Sequence, residues 1–527
     1  MRNRWLPSSL AVASLAALGA WHLSDRADGM RETARAPASV PVAVPAARVL
    51  PTEASEPGPP PSPDAPALTA ATRIIVGGGS FPQSTEVSLE QDVLLAKRVM
   101  GPQLRVLFAG GARAAAVREL AATRPVARAP LLSRLGDVFA PRPGRGSRYR
   151  RPALPRAGRA TEDGVRSLLG DALSLRGEPL WLHVATHGEQ GPTARDNHVG
   201  LWAGGLLHVD ALARLHDRAP RPLRVVIASC YSGGFAELAF VGADEQLGAS
   251  PAPRCGLFAG TWDRQTSGCD PNPDRRRQEG YSLHFLHALR GEDRAGQALA
   301  AGALDLDADG RLSLLEAHTR ARIASMSIDV PTTTSERLLR SVQRTGGEAD
   351  TQLLPEERAV LKALGELLGI EAVASARDRL GVLERRLADL DAAVIAAEEA
   401  SHQAYLRLAA ALLERWPVLD DPYHPEFAAT FARDAEVIAR VLDRSAEARA
   451  FDAAQRVLEA SDDRYWDLRV DEALLSRYLR SHETLGLATA LGARGGDDWD
   501  AYQRLLTCER WVPALRGAVE GGLDGLE

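Results

Sequence analysis

Apolar residues form short runs in the central part of the chain and longer helical patterns toward its C-terminus. Four runs have the length of a strand and end in glycine, histidine or cysteine, and they cover 73–76, 104–109, 180–185 and 223–228. Largely apolar runs rich in β-branched residues are typical of strands buried on both faces of a parallel sheet. A fifth candidate strand covers 255–260, and helical patterns cover 87–100 and 281–289. The order strand, helix, strand predicts right-handed crossover connections.

Long helical patterns replace the strand-length runs from Leu354 onward. Apolar residues recur at alternating spacings of three and four from Leu380 to Ala411, which is the a/d seam of a coiled coil. Further helical patterns cover 425–460 and 471–485. We find no catalytic constellation among these residues. The pattern therefore predicts an all-α region with a structural role or a docking role for a protein partner.

The N-terminal segment has the pattern of an export signal. Arg2 and Arg4 precede an apolar, alanine-rich stretch at 6–23, and a basic segment followed by a short apolar one is typical of such signals. The stretch is short for a membrane span, which needs about 20 apolar residues. We expect a signal peptide or a membrane anchor at 1–30, and hence an exported protein that is periplasmic, membrane-anchored or secreted. Proline and alanine dominate 31–71, which predicts a disordered linker.

Composition narrows the classes of function. The 63 basic and 69 acidic residues give a formal net charge of −6, which argues against a nucleic-acid binder with a basic face. Four cysteines in 527 residues exclude a fold built on disulfides. Cys255 and Cys269 flank one strand and its loop, so they either form a disulfide after export or stay as two free thiols. Together with the patterns above, we expect an α/β domain at 72–330, a linker at 331–353 and a helical domain at 354–527.

Two of the predicted strands end in residues capable of chemistry. His187 and Gly188 follow the run at 180–185, and Cys230 follows the run at 223–228. Ligands bind at the carboxyl ends of parallel strands, so we expect both side chains at one edge of the sheet. An imidazole can take the proton of a thiol, and the N–H groups of Gly188 and Cys230 can stabilise an oxyanion. Either residue alone is more often a turn histidine or a buried, inert cysteine, but their joint placement favours catalysis.

The two segments together resemble the caspase–legumain group of cysteine peptidases. The resemblance rests on a strand followed by His-Gly at 187–188 and a later strand followed by Ser-Cys-Tyr-Ser-Gly at 229–233. The Val-Gly-Gly-Gly segment at 76–79 and the segment at 259–269 are also similar to members of this group. The histidine precedes the cysteine, as it does in this group.

This resemblance implies a caspase–hemoglobinase-like fold, which is a parallel-rich sheet with flanking helices. It also implies that Cys230 is the nucleophile and His187 the general acid/base of an enzyme that cleaves proteins or peptides without an organic cofactor. Several relatives carry an acidic residue two positions before the cysteine, where it helps to select the substrate side chain, but here that position is Ala228. Asp263 and Asp270 follow the fifth strand. They are either part of the substrate pocket or solvated loop carboxylates.

A complete calcium-loop pattern lies at 305–316, where the sequence is DLDADGRLSLLE and fills D-x-D-x-D-G-x5-E. The expected ligands are side-chain carboxylates and one backbone carbonyl, from Asp305, Asp307, Asp309, Arg311 and, as the bidentate ligand, Glu316. We expect flanking helices at 297–304 and 314–326. The sequence therefore predicts a Ca²⁺ site, with an acidic helix–turn–helix that no longer binds metal as the alternative.

These observations predict an exported cysteine endopeptidase that is modulated by calcium. One alternative is a catalytically inactive, calcium-binding assembly protein on a protease-like fold. In that protein the linker and the helical domain would carry the function. Another alternative is a transpeptidase, which shares the acyl-enzyme but uses an amine acceptor. Intact His187 and Cys230 favour an enzyme over the inactive protein.

Overall fold

The computed structural model describes residues 72–101, 103–120, 131–139, 147–348, 350 and 353–514. The predicted export segment at 1–30 and the predicted linker at 31–71 lie outside the described residues. Within the described ranges, we found no helix that combines the length and the apolar character needed to cross a membrane.

The α/β region is built on a six-stranded, mostly parallel sheet, which confirms the predicted α/β class. The strands in chain order are β1 (Arg73–Gly77), β2 (Leu104–Phe108), β3 (Val117–Leu120), β4 (Ser147–Arg150), β5 (Leu180–Ala185), β6 (Gly188–Glu189), β7 (His198–Leu201), β8 (Gly205–His208), β9 (Leu223–Ile227), β10 (Arg254–Phe258) and β11 (Thr332–Thr333). The main sheet has the order β11-β10-β9-β5-β1-β2, in which β11 alone runs antiparallel to its neighbour. All five predicted strands lie in this sheet.

Helices cover the sheet and then continue as an extended helical region. In chain order they are α1 (Val87–Met100), α2 (Leu131–Phe139), α3 (Glu162–Ser174), α4 (Val209–Asp217), α5 (Tyr281–Ala288), α6 (Leu314–Ala324), α7 (Thr334–Val342), α8 (Pro355–Leu368), α9 (Val373–Arg415), α10 (Phe427–Arg444), α11 (Ala446–Arg494) and α12 (Asp497–Glu509).

The apolar strands are buried on both faces because successive side chains of a strand point in opposite directions. Ile75 belongs to a core cluster that contains residues of α1, α5 and α12, among them Phe285. Its neighbour Ile74 belongs to a second cluster, with residues of α3 and α4 such as Leu169 and Leu212. The sheet therefore lies between two layers of helices.

The helical region is joined covalently to the sheet. Cys255 in β10 forms a disulfide with Cys508 in α12, with their Cα atoms 5.9 Å apart. The expected alternatives, a bond between Cys255 and Cys269 or two free thiols, are therefore wrong. The partner is 253 residues away in sequence, and spacing along the chain gives no information on such a distant contact. Buried Glu509 accepts hydrogen bonds from the hydroxyl groups of Thr334 and Ser335.

Part of the predicted linker at 331–353 belongs to the folded core. It contains β11, which extends the sheet, and α7, whose Leu338 and Leu339 are buried. Thr333 caps α7 by accepting a hydrogen bond from the backbone N–H of Glu336. The prediction of a linker missed these elements because they are short and polar.

Part of the predicted seam is buried on α9, which packs along α11. Its buried residues recur at intervals of three and four in its C-terminal half, at positions 394, 397, 401, 404, 408 and 412, and Leu387 lies seven residues earlier. The later helix boundaries differ from the prediction. One helix ends at Arg444, and the next begins after Ser445, whose side chain accepts a hydrogen bond from the N–H of Ala448. The helix α11 then continues without interruption through 461–470. A serine N-cap explains this boundary.

Candidate active site

The sheet topology brings the two predicted catalytic residues to neighbouring strands. β5 and β9 are adjacent and parallel, with Val184 opposite Ile227. His187 lies two residues after β5, and Cys230 lies three residues after β9. Both therefore lie at the carboxyl edge of the sheet, as the strand order predicted.

Gly188 lies directly against the backbone of the cysteine segment. A Cβ atom at Gly188 would be 2.0 Å from the carbonyl oxygen of Cys230 and 3.0 Å from the Ser229 hydroxyl. Real Cβ atoms do not approach other atoms this closely, so only glycine fits here. The His-Gly and Ser-Cys segments are therefore in direct contact.

The turn after Cys230 has an uncommon backbone conformation. Tyr231 has a φ of 57°, in the left-handed region that non-glycine residues rarely adopt. Asn197 is fully buried and holds this turn, because its side-chain amide donates to the carbonyl oxygens of Tyr231 (2.9 Å) and Trp262 (2.7 Å). The backbone N–H of Cys230 makes no hydrogen bond with another described residue, so it is available to an oxyanion. Strained turns of this kind are concentrated at functional sites.

The ring of His187 is oriented by acceptors on one side. Its Nε2 lies 2.9 Å from the carbonyl oxygen of Ser84 and 2.9 Å from Oε2 of Glu86. A carbonyl oxygen only accepts hydrogen bonds, so Nε2 carries a proton and Nδ1 is the acceptor in the neutral ring. The His187 side chain is about one-third exposed, at 32%. The second ring nitrogen, Nδ1, therefore faces the Cys269 thiol.

Glu86 is a site residue that the sequence analysis missed. Its side chain is 6% exposed and forms an ion pair with buried Arg118 at 2.6 Å. Burial opposes the charge of Glu86, but the hydrogen bonds and charges of His187 and Arg118 outweigh burial and lower its pKa. Glu86 lies just before α1, where an acidic residue is common at any helix start. The sequence pattern therefore held no signal that set it apart.

Cys269 is the second thiol of the site. Its Sγ lies 3.5 Å from Nδ1 of His187, and the residue is exposed. The electrostatic interaction with Cys269 is the largest cause that raises the pKa of His187 well above its ordinary value. A hydrogen bond to Cys269 and the contact with Glu86 act in the same direction, against burial. The sequence analysis considered Cys269 as a disulfide partner or a free thiol and did not place it beside the histidine.

The thiol of Cys230 makes its hydrogen bonds with Thr266 rather than with His187. The backbone N–H of Thr266 donates to Cys230 Sγ at 3.3 Å, and the Thr266 carbonyl oxygen lies 3.5 Å from the same sulfur. Burial raises the pKa of Cys230 to about 11, and the nearby Cys269 adds to the shift, while Thr266 and His187 act against it. Cys230 therefore rests as a neutral thiol in this arrangement.

The two candidate pocket carboxylates lie in different surroundings. Asp263 accepts a hydrogen bond from the Thr261 hydroxyl at 2.7 Å and lines a cavity at the border with the helical region. Asp270 lies near Glu86, and burial, with the Glu86 charge as a smaller cause, raises its pKa. Neither carboxylate forms a hydrogen bond with His187 or Cys230. Their role in substrate selection stays a prediction.

The predicted calcium loop brings three carboxylates together. Oxygen atoms of Asp305, Asp307 and Asp309 lie within 4.8 Å of one another. Gly310 has a φ of 76° at the turn of the loop, which is the conformation that requires glycine. Such a set of oxygen donors fits a hard cation such as Ca²⁺. The Arg311 carbonyl follows directly in the chain, as the pattern requires.

Glu316 is held apart from these carboxylates by its own hydrogen bonds. It is buried, and its two oxygens accept from the N–H of Leu306 (2.7 Å) and from both the N–H and hydroxyl of Ser313 (2.8 Å each). Burial raises its pKa. Glu316 thus caps α6 in this arrangement. On the incoming side, the predicted helix at 297–304 is wrong, since the structure has only a 3-10 turn, Ala301–Ala303.

No protein-family model matches the chain, and no curated protein is significantly similar to it. The functional argument therefore depends on the motifs and on the geometry described above.

Proposed function

We propose that the protein is a cysteine endopeptidase of the caspase–legumain type, with a caspase–hemoglobinase-like fold. The observation that carries the proposal is the placement of His187 and Cys230 after adjacent parallel strands, with Gly188 packed against the Cys230 backbone. The order of histidine and cysteine and the Ser-Cys-Tyr-Ser-Gly segment support the same class.

In the proposed mechanism, His187 takes the proton of Cys230, and the thiolate attacks the carbonyl carbon of the peptide. The N–H groups of Gly188 and Cys230 stabilise the oxyanion that forms. Collapse of this intermediate breaks the C–N bond, and the imidazolium donates its proton to the leaving amine. Water then attacks the thioester while His187 takes a proton from that water. Collapse of the second intermediate breaks the C–S bond and releases a carboxylic acid, and the imidazolium returns its proton to the Cys230 sulfur, which regenerates the thiol. Glu86 orients the ring and stabilises its charged form.

One observation favours the inactive alternative over the enzyme. The Cys230 thiol accepts a hydrogen bond from the N–H of Thr266, and Cys269, not Cys230, lies next to Nδ1 of His187. Catalysis by Cys230 requires that His187 reach it in place of Cys269. The two thiols must therefore be distinguished by experiment.

The test is labelling with an electrophilic peptide probe, followed by mapping of the modified residue. We expect labelling that is lost in Cys230→Ala and retained in the matched variant Cys269→Ser. Retention in Cys230→Ala with loss in Cys269→Ser would assign the nucleophile to Cys269 and overturn our assignment. Absence of labelling in the wild type, with and without calcium, would support the inactive alternative.

We also propose that the loop at 305–316 binds Ca²⁺ and that binding acts on the active site. A series of hydrogen bonds connects the helix after this loop to the segment that contacts Cys230, and it supports the proposal. His318 in α6 shares a hydrogen bond with the Tyr281 hydroxyl at 2.8 Å. Fully buried Asp329 accepts from the N–H groups of Tyr281 (2.8 Å) and Ser267 (2.6 Å). Ser267 follows Thr266, which contacts the Cys230 thiol. Calcium would bind the three aspartates and order the start of α6.

The exported location remains part of the proposal. The disulfide between Cys255 and Cys508 supports it, because such bonds persist in oxidising compartments. A protein or peptide is the proposed substrate.

A further inference from the structure

A cavity of about 640 Å³ lies where the loop after β10 meets the helical region. Its walls come from the loop at 261–264, the segment at 344–347 after α7, and the helices α9 and α11. This volume is in the range of small-molecule sites. Neither His187 nor Cys230 lines it, so it is separate from the candidate active site.

The cavity is basic although the chain as a whole is acidic. Four arginines line it against two carboxylates, and they are Arg264, Arg344, Arg377, Arg480, Asp263 and Glu483. His482 also lines it, but burial and the Arg377 charge lower the pKa of this histidine, so it adds no charge near neutral pH. Concave surfaces lined by one sign of charge concentrate ligands of the opposite sign. The lining therefore favours an anion.

Two of these arginines are already neutralised by buried carboxylates. Arg264 pairs with Glu472, and Arg480 pairs with Glu336 at 2.7 Å. The lining carboxylate of Glu483 is likewise engaged, by Arg340 outside the cavity lining.

The other two arginines have no such partner. Arg344 and Arg377 are exposed, and neither makes a hydrogen bond or ion pair with another described residue. They lie on separate elements, the segment after α7 and the helix α9, and both line the same cavity. Guanidinium groups bind phosphate and carboxylate oxygens in pairs of hydrogen bonds, so two unpaired ones facing a cavity are suited to a multiply charged anion.

Glycines let the backbone form another wall of the cavity. The N–H of Gly347 donates to the carbonyl oxygen of Gly486 in α11 at 2.9 Å, and a Cβ on Gly486 would lie 3.1 Å from the Gly347 oxygen. The segment therefore lies close against the helix. The neighbouring N–H of Gly346 makes no hydrogen bond with a described residue.

We propose that this cavity is a binding site for a small, multiply charged anion of the phosphate or carboxylate class, held by Arg344, Arg377 and the Gly346 N–H. The site shares a loop with the candidate active site, since the Arg264 carbonyl accepts from the N–H of Tyr231 at 2.7 Å. The proposal does not depend on peptidase activity.

The test is titration calorimetry of the whole protein with tripolyphosphate and, separately, with citrate, in a buffer of low ionic strength. We expect binding that weakens at least tenfold in Arg344→Ala and in Arg377→Ala and is lost in the double variant. Arg377→Lys should lose less than Arg377→Ala, because it keeps the charge. Arg385→Ala is the matched control, since Arg385 is exposed on the same helix and lies outside the cavity lining.

Tighter binding of tripolyphosphate than of citrate would assign a phosphate ligand, and the reverse a carboxylate. The proposal is wrong if neither anion binds at millimolar concentration. It is also wrong if the double variant, with an unchanged melting temperature, binds as the wild type does. Equal weakening by Arg385→Ala would show non-specific attraction and would likewise overturn it.

Discussion

The α/β region and the pair of long helices are stabilised in different ways. Every residue of β5 is buried, whereas in α9 eight of 43 residues are buried. Every side chain of a strand that is covered on both faces packs in the core, whereas a helix in a two-helix seam packs along one face and exposes the other side chains to solvent. Substitutions in the sheet should therefore reach the active site, and substitutions on the long helices should stay local.

The boundary between the two regions does not follow the chain. The C-terminal end of α11, with Leu485 and Leu491, and the helix α12 belong to the same core cluster as the sheet. The C-terminal part of α9 and the helix α10 contribute to a separate cluster, in which Leu408 and Ile438 pack with Leu135 of α2. The last helix is thus part of the α/β core, whereas α2 packs with the separate cluster that contains Leu408 and Ile438.

The largest effect on stability should come from removing the covalent link between the two regions. We expect Cys255→Ala combined with Cys508→Ala to lower the free energy of unfolding by about 3 to 4 kcal/mol, because the disulfide closes a very long loop. Urea unfolding under oxidising conditions measures this. Cys269→Ala is the control, since it removes a free cysteine. An unchanged unfolding curve for the double variant would show that packing alone holds α12 to the sheet.

The next effect should come from Glu86→Gln, within the α/β region. The substitution leaves buried Arg118 without its charged partner, and we expect a loss of about 3 kcal/mol at pH 7. The pKa of Glu86 is lowered in the folded state. Its contribution is therefore present above its unfolded pKa of about 4.3 and is lost as pH falls through the folded value. The stability difference between wild type and variant should shrink below pH 4.

The same variant should move the pH profile of activity. The Glu86 carboxylate helps to raise the pKa of His187, so its removal should let the ring lose its proton at a lower pH. We therefore expect the acid limb of the cleavage rate to shift toward lower pH in Glu86→Gln. A limb that stays in place would indicate that His187 is not the base.

The sequence was informative where the chemistry is local. The five sheet strands, the positions of His187 and Cys230 and the coiled-coil seam follow from periodicity and strand ends, and the structure has the elements there. The contacts of Glu86 with His187 and of Cys255 with Cys508 join segments 101 and 253 residues apart. No local pattern encodes such pairs, because they depend on how the sheet and the helices are arranged in space.

Calcium should stabilise the protein through the α/β region. A ligand that binds only the folded state adds about 2.7 kcal/mol at a hundredfold excess over Kd. Asp307→Asn should weaken this response, because it removes one ligand charge, while the asparagine oxygen can still accept the one loop hydrogen bond, from the N–H of Asp309. Glu316→Gln tests calcium binding less directly than Asp307→Asn, because Glu316 also caps α6. The Glu316→Gln substitution should therefore lower the stability of the protein even without metal. Melting curves and cleavage rates across a calcium titration measure both effects.

Two outcomes of this titration contradict the proposal in different ways. If the wild-type melting temperature does not change with calcium, the loop does not bind the metal. If the melting temperature rises and the cleavage rate does not, the metal stabilises the loop and the contacts through Tyr281 and Asp329 carry no signal to the active site.

The smallest effect should come from the seam of the long helices, where adjacent residues provide a matched pair. Leu458 is 2% exposed and packs with Val394 and Ala397, while its neighbour Val457 is 58% exposed on the same helix. We expect Leu458→Ala to cost about 2 kcal/mol through the lost contacts and the remaining cavity. Val457→Ala should change stability by no more than about 0.5 kcal/mol. In Leu458→Ala, we expect the amide protons of α9 and α11 to exchange faster than in the wild type. Labelling of Cys230 by the peptide probe should not change. Slower labelling in Leu458→Ala would show that the long helices are coupled to the active site, which would remove the distinction between the two regions.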